Sequence, residues 1–111
     1  MKLYFAPGAC SLSAHIALRE AGAGFDLEQV DLAAKRTKSG ADFRAISPMG
    51  YVPALQLDDG SVMTEASVIA QYVADTNPAA KLAPAAGSKE RYALMGWLNF
   101  IATELHKGFG P

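Results

Sequence analysis

Cys10 is the only cysteine of the chain, and it follows a short apolar run and the pair Pro7-Gly8 where a helical pattern begins. Unpaired backbone N–H groups and the helix dipole stabilise negative charge at such a start, so a thiol there is expected to be partly ionised near neutral pH. A small buried residue is the plainer account of a single cysteine, and the position at a helix start weighs against it. Cys10-Ser11-Leu12-Ser13 has the spacing of a Cys-x-x-Cys redox motif with serine in the second place. Any disulfide at Cys10 therefore needs a thiol from outside.

Three other segments carry candidate chemistry. Val52-Pro53 opens a strand pattern; a cis bond there would leave the Val52 N–H and C=O facing outward, an edge on which a peptide-like ligand can pair. An ordinary turn proline fits the same residues and outweighs that reading on sequence alone. Thr64-Glu65-Ala66-Ser67 puts a carboxylate and free backbone N–H groups at another helix start. Together they offer acceptors for an ammonium and donors for a carboxylate, the two charges of an α-amino acid. Plain capping outweighs this when the segment is taken alone. Asn99, Thr103 and His106 form a polar seam on the last helical pattern. If the seam faces the preceding residues, His106 reaches a reacting sulfur or holds a bridging water, and Lys107 adds positive potential. A solvated polar face explains the spacing equally well. His15 is expected to be structural, and two histidines and one cysteine so scattered argue against a metal site.

The elements that must position these residues follow from local patterning. Lys2-Leu-Tyr-Phe5 reads as a strand and Ser11 to Ala23 as a helix ended by Gly22 and Gly24. Phe25 to Val30 reads as a strand parallel to the first, because a helix makes the crossover. Residues 31–47 read as a loop with a basic turn at Lys35, Arg36 and Lys38, then a brief helix around Phe43 and Ile46. Asp58-Asp59-Gly60 between Ala54–Leu57 and Ser61–Met63 signals a hairpin, and Thr64 is expected to cap a helix running from Glu65 to Asn77-Pro78. The sum is an α/β fold, β-α-β-α-β-β-α with a mixed four-stranded sheet, over residues 1–80. Residues 81–87 read as a linker and 88–111 as one further helix, capped by Ser88 and running to about Lys107. Its stripe of Leu94, Leu98, Ile101 and Leu105, with Trp97 at the edge, needs something to bury it.

Composition narrows the function classes. The chain has 111 residues, 50% apolar and 19% charged with a formal net charge of −1, which excludes disorder and gives no electrostatic footprint for nucleic acid. No stretch approaches the ~18 apolar residues of a membrane helix. Pro7, Gly8, His15, Arg19 and Glu20 interrupt any secretory signal pattern. One cysteine permits no internal disulfide, so a reducing, cytoplasmic location is expected.

The residues taken jointly resemble the bacterial beta-class glutathione transferases over the whole chain. The matching segments are Met-Lys-Leu-Tyr at the start, Pro7 to Ser13, His15, Leu18-Arg19-Glu20, Val30-Asp31-Leu32, Pro48 to Pro53, Leu57 to Gly60, Thr64-Glu65, Gln71 to Asp75, Trp97 to Ile101 and Glu104 to Lys107. The resemblance implies a thioredoxin-like domain that binds glutathione as co-substrate, followed by the start of an all-helical domain lining the pocket of a hydrophobic electrophile. It implies that Cys10 approaches the glutathione sulfur and can form a mixed disulfide with it. It further implies that Lys35 meets the glycine carboxylate, that Val52, before Pro53, pairs with the cysteinyl unit, and that Glu65 with Ala66 holds the γ-glutamyl end. Asn99 and His106 would reach toward the sulfur. Members of the family are usually homodimers, need no metal, and act in detoxification. Phe5 stands where many relatives have Tyr, removing a hydroxyl near the sulfur, and Ala66 stands where Gly or Ser is common. Since the family's helical domain continues for several helices, the chain is expected to be either a fragment of a longer protein or the product of a truncated gene. Three functions are open: conjugation of glutathione to electrophiles, glutathione-dependent thiol-disulfide exchange through Cys10, and a non-catalytic glutathione-binding or interaction module.

Overall fold

A computed structural model describes residues 1–106, His106 by its backbone alone. Lys2–Phe5 forms the first strand, β1, and Ser11–Ala21 the first helix, α1. Gly22, at φ 68°, ends α1 in the left-handed conformation, its N–H donating to the Arg19 carbonyl at 3.1 Å. Asp26–Asp31 (β2) returns parallel to β1, with Leu3 opposite Leu27. After Arg36–Thr37 (β3) and the short helix Phe43–Ile46 (α2), Ala54–Gln56 (β4) and Val62–Thr64 (β5) form the hairpin. Helix α3 spans Ala66–Thr76, a 3₁₀ turn covers Pro78–Ala80, and α4 spans Lys89–Phe100 before a π-helical segment, Ile101–His106.

The sheet has five strands in the order β3-β2-β1-β4-β5, one more than the expected four. The extra strand is two residues long, so it carries no periodicity; it exists because Thr37 and Arg36 pair antiparallel with Val30 and Asp31 across the loop. Thr64 also departs from expectation: it closes β5, and Glu65 occupies the cap position of α3 without a side-chain cap bond. The Ser88 cap is as expected, its hydroxyl accepting from the Arg91 N–H at 3.1 Å.

Successive residues of β1 serve opposite faces. Leu3 packs with Leu55 of β4, Ala14 and Leu18 of α1, and Ile69 and Val73 of α3, all fully buried. Each large side chain there contributes about 1.5–3 kcal/mol by leaving water. Tyr4 faces the other way, against Phe43 at a centroid distance of 5.6 Å, among Val30, Val52 and Ala54. Phe43 thereby pins α2 under the sheet, beside the loops that carry the candidate residues.

Arg91, which sequence patterning did not single out, fastens α4 to α3. Its guanidinium is 3% exposed, donates through Nε to the Pro84 carbonyl at 2.9 Å, and engages both carboxylate oxygens of Asp75. Hydrogen bonding from Arg91 holds the Asp75 carboxyl below the usual carboxylate value, and the guanidinium charge adds to this against an opposing effect of burial. A depressed native value makes this pairing stabilising above the unfolded pKa of about 3.9, and the contribution is lost as pH falls through the native value. Urea denaturation from neutral pH downward should therefore show wild type more stable than Asp75→Asn near neutrality, the gap closing below about pH 4. Further along α4, Leu94 and Leu98 are half-buried, while Trp97, Ile101 and Leu105 stay exposed. No helix among the described residues is long and apolar enough to cross a membrane.

Candidate functional site

Chain topology gathers several loop ends at one end of the sheet. The carboxyl end of β1 runs through Pro7-Gly8 into α1, while β4 begins, and β5 ends, at the same level. The pair Ala54↔Thr64 sets the register, and one residue beyond it lie Pro53 and Glu65. Tyr4 is also opposite Ala54, so Phe5 and Ala6 lead out beside Pro53 and Val52.

Cys10 occupies the cap position of α1, half-buried, without a side-chain bond onto the helix's first amides. Its thiol instead donates to the Val52 carbonyl at 3.3 Å, joining residues 42 apart in sequence. The loop before it is braced by Ser11, whose buried hydroxyl accepts from the Ala6 N–H and donates to the Ala6 carbonyl, both at 3.2 Å. Ser13, in the place of a second redox cysteine, donates to the Cys10 carbonyl at 3.0 Å.

The Val52–Pro53 peptide is cis. Among the described residues no acceptor faces the Val52 N–H, whereas the Val52 carbonyl, expected to be unpaired, is taken by the Cys10 thiol. A peptide placed along this edge finds one open donor and one acceptor already engaged.

Glu65 has φ 72° and ψ 121°, unusual for a residue with a Cβ. Such a conformation costs on the order of 1–3 kcal/mol and persists only where its surroundings impose it. Here the Glu65 carbonyl receives the Ile69 N–H at 3.0 Å, while the exposed carboxylate makes no side-chain cap bond. The strained residue was legible in the sequence as an acidic one at a helix start, but its backbone was not.

Lys35 also has a left-handed backbone, φ 55°, and its ammonium donates to the Gly50 carbonyl at 2.8 Å while lying 5.7 Å from the Tyr51 ring centroid. Its loop is shaped by Asp31, whose carboxylate accepts from the Ala33 and Ala34 N–H groups at 3.0 and 3.1 Å. The Lys35 carbonyl in turn accepts from the Phe43 N–H at 2.9 Å, tying this loop to α2. Lys35 thus stands beside the Tyr51-Val52 segment.

Asn99 and Thr103 are exposed on α4 and the π-helical segment, and the Thr103 hydroxyl turns back to the Asn99 carbonyl at 2.9 Å. Among the described residues no hydrogen bond joins Asn99 to the sheet domain. The His106 side chain and Lys107 lie outside what is described. His15 packs between Phe5 and Phe25, ring centroids 6.2 and 5.8 Å away, and takes a bond from Arg19. That is the structural role expected of it. No group of three or more His, Cys, Asp or Glu residues suited to a metal is found among the described residues. A groove of about 460 Å³ opens at the opposite end of the sheet, by Met1, Asp58, Tyr72 and Asn77, and none of the candidate residues lines it.

Comparison with known proteins places this geometry in context. Residues 8–76 match the family model described as the glutathione S-transferase N-terminal domain. Glutathione S-transferase GstA of Escherichia coli O157:H7 is 54% identical over 111 residues, all of this chain and 55% of that protein. A beta-class glutathione S-transferase of Sphingomonas chungbukensis superposes with a TM-score of 0.96 at 52% identity, over 98% of this chain and 54% of that one. A sphingomonad glutathione S-transferase complexed with glutathione superposes with a TM-score of 0.95 at 52% identity, over 100% of this chain and 57% of that one. The chain spans about half the length of these relatives.

Proposed function

We propose, from the premise that the chain belongs to the glutathione S-transferase family, that it binds glutathione and serves its conjugation to hydrophobic electrophiles. Residues 1–80 act as the glutathione-binding domain, 81–87 as a linker, and 88–111 as the first helix of a helical domain that contributes to the electrophile pocket. The protein works as a cytoplasmic homodimer without a metal.

The observation that carries this reading is the Val52 edge, with its open N–H and cis Pro53, set against Cys10 and one ladder position from Glu65. An extended peptide pairs there in strand fashion. The cysteinyl carbonyl of glutathione accepts from the Val52 N–H, and its N–H takes the Val52 carbonyl in place of the Cys10 thiol. The released thiol turns toward the ligand's sulfur. Glu65 receives the γ-glutamyl ammonium and the Ala66 N–H its carboxylate, while Lys35 takes the glycine carboxylate. Asn99 and His106 approach the sulfur from α4 and the segment after it.

In the reaction the glutathione thiol releases its proton to solvent, and the resulting thiolate attacks the electrophilic carbon. A C–S bond forms as the bond to a leaving group such as halide breaks with its electron pair. The dipole and free N–H groups at the start of α1 favour the developing negative charge. A second reading, thiol-disulfide exchange, is favoured by the half-buried thiol of Cys10 facing the ligand edge. Ser13 in the second redox position confines it to mixed disulfides with glutathione.

Titration calorimetry with millimolar glutathione, followed by assay with an aromatic halide, tests the proposal. Binding with turnover is expected; no binding overturns it, and binding without turnover points to a non-catalytic module. Cys10→Ala should retain conjugation, which identifies transferase chemistry; disulfide reduction that survives in this variant overturns exchange through Cys10.

A further inference from the structure

Gly50 lies where two cationic side chains meet. A Cβ built on it would fall 3.2 and 3.3 Å from Cδ and Cε of Lys35 and 3.5 Å from Nε of Arg44. Its φ of 70° is a conformation glycine adopts readily. The bare Cα therefore lets the stem of Lys35 cross the loop, with Nε of Arg44 also beside it. The Arg44 backbone is fixed by Asp42, whose carboxylate caps α2 through the Arg44 N–H at 3.1 Å. Both side chains are cationic, and among the described residues neither Lys35 nor Arg44 has a carboxylate partner. Lys35 uses one of its three donors on the Gly50 carbonyl, leaving two, and the side-chain donors of Arg44 are uncommitted among the described residues. Two cations with spare donors flanking Gly50, beside the proposed peptide edge, are suited to one carboxylate.

We propose that Arg44 joins Lys35 in gripping the free C-terminal carboxylate of the bound tripeptide, with Gly50 as the positioning residue that lets the Lys35 stem lie across the loop. This rests on the glutathione reading and extends it, adding a binding residue and a basis for specificity. A free carboxylate is preferred over its ester because only the former supplies a negative charge to complement the two cations.

The test compares glutathione with its glycine monoethyl ester by calorimetry on the wild-type protein and on the Arg44→Gln, Lys35→Gln and Gly50→Ala variants. Wild type should bind glutathione about tenfold more tightly than the ester, and rising salt should narrow that ratio. Arg44→Gln, at an exposed position, should weaken glutathione by about fivefold and leave the ester unchanged. Gly50→Ala should reduce the same ratio by displacing Lys35. If Lys35→Gln abolishes the preference while Arg44→Gln leaves it intact, the two-cation grip is overturned and the glutathione reading stands. If wild type binds neither ligand, the glutathione reading itself fails, and the inference with it.

Discussion

On the proposed reading, Glu65→Gln is expected to weaken glutathione binding by about 10- to 100-fold, because a hydrogen bond to a charged group contributes about 1.5–3 kcal/mol and each 1.4 kcal/mol is tenfold. Its fold should be untouched, since the carboxylate is exposed and makes no cap bond in the free protein. Titration with N-acetylated glutathione isolates the cause: without an ammonium to lose, that ligand should bind wild type and the variant alike. Glu65→Gly separates binding from stability. It removes the same carboxylate but relieves a backbone at φ 72°, so it should bind poorly and yet unfold at higher temperature, by about 1 kcal/mol of added stability. A variant destabilised at this position would show that the conformation carries no strain.

Phe43→Ala is expected to produce the largest loss of stability, about 3–5 kcal/mol from a total of about 5–15. The side chain is fully buried against Tyr4, and its removal leaves a cavity between the sheet and α2. The effect reaches the proposed ligand edge, because the Phe43 N–H holds the Lys35 carbonyl and α2 carries Arg44. Glutathione affinity should fall along with the urea midpoint. Phe43→Leu, which refills most of the cavity, should lose less than about 1.5 kcal/mol and keep near-normal affinity. Equal losses from both variants would mean that ring shape rather than volume supports α2.

The elements read correctly from sequence are those specified by neighbouring residues. The run Lys2 to Phe5, the helix ended by Gly22, the Asp58-Asp59-Gly60 turn and the Ser88 cap each depend on interactions within a few positions. Thr64 was misplaced because a threonine before a helical pattern is locally an apt cap, whereas pairing with Ala54 holds it in β5. Strand β3 was missed because two residues carry no pattern, and only their pairing with Val30 and Asp31 makes them a strand.

The candidate site divides along the same line. Residue types alone named a thiol at a helix start, a proline before a strand, an acid at a second helix start and a basic turn, and their order carried the family resemblance. Tertiary structure decided what those groups do to each other: the Cys10 thiol on the Val52 carbonyl, the left-handed backbone of Glu65, and Lys35 laid across Gly50. It also decided that Asp75 and Arg91 meet, fastening α4 to α3. The physical reason is range. Propensity, capping and turn chemistry act over a few residues and can be read along the chain, while these contacts join positions 15 to 42 apart, which only the folded sheet and its loops bring together.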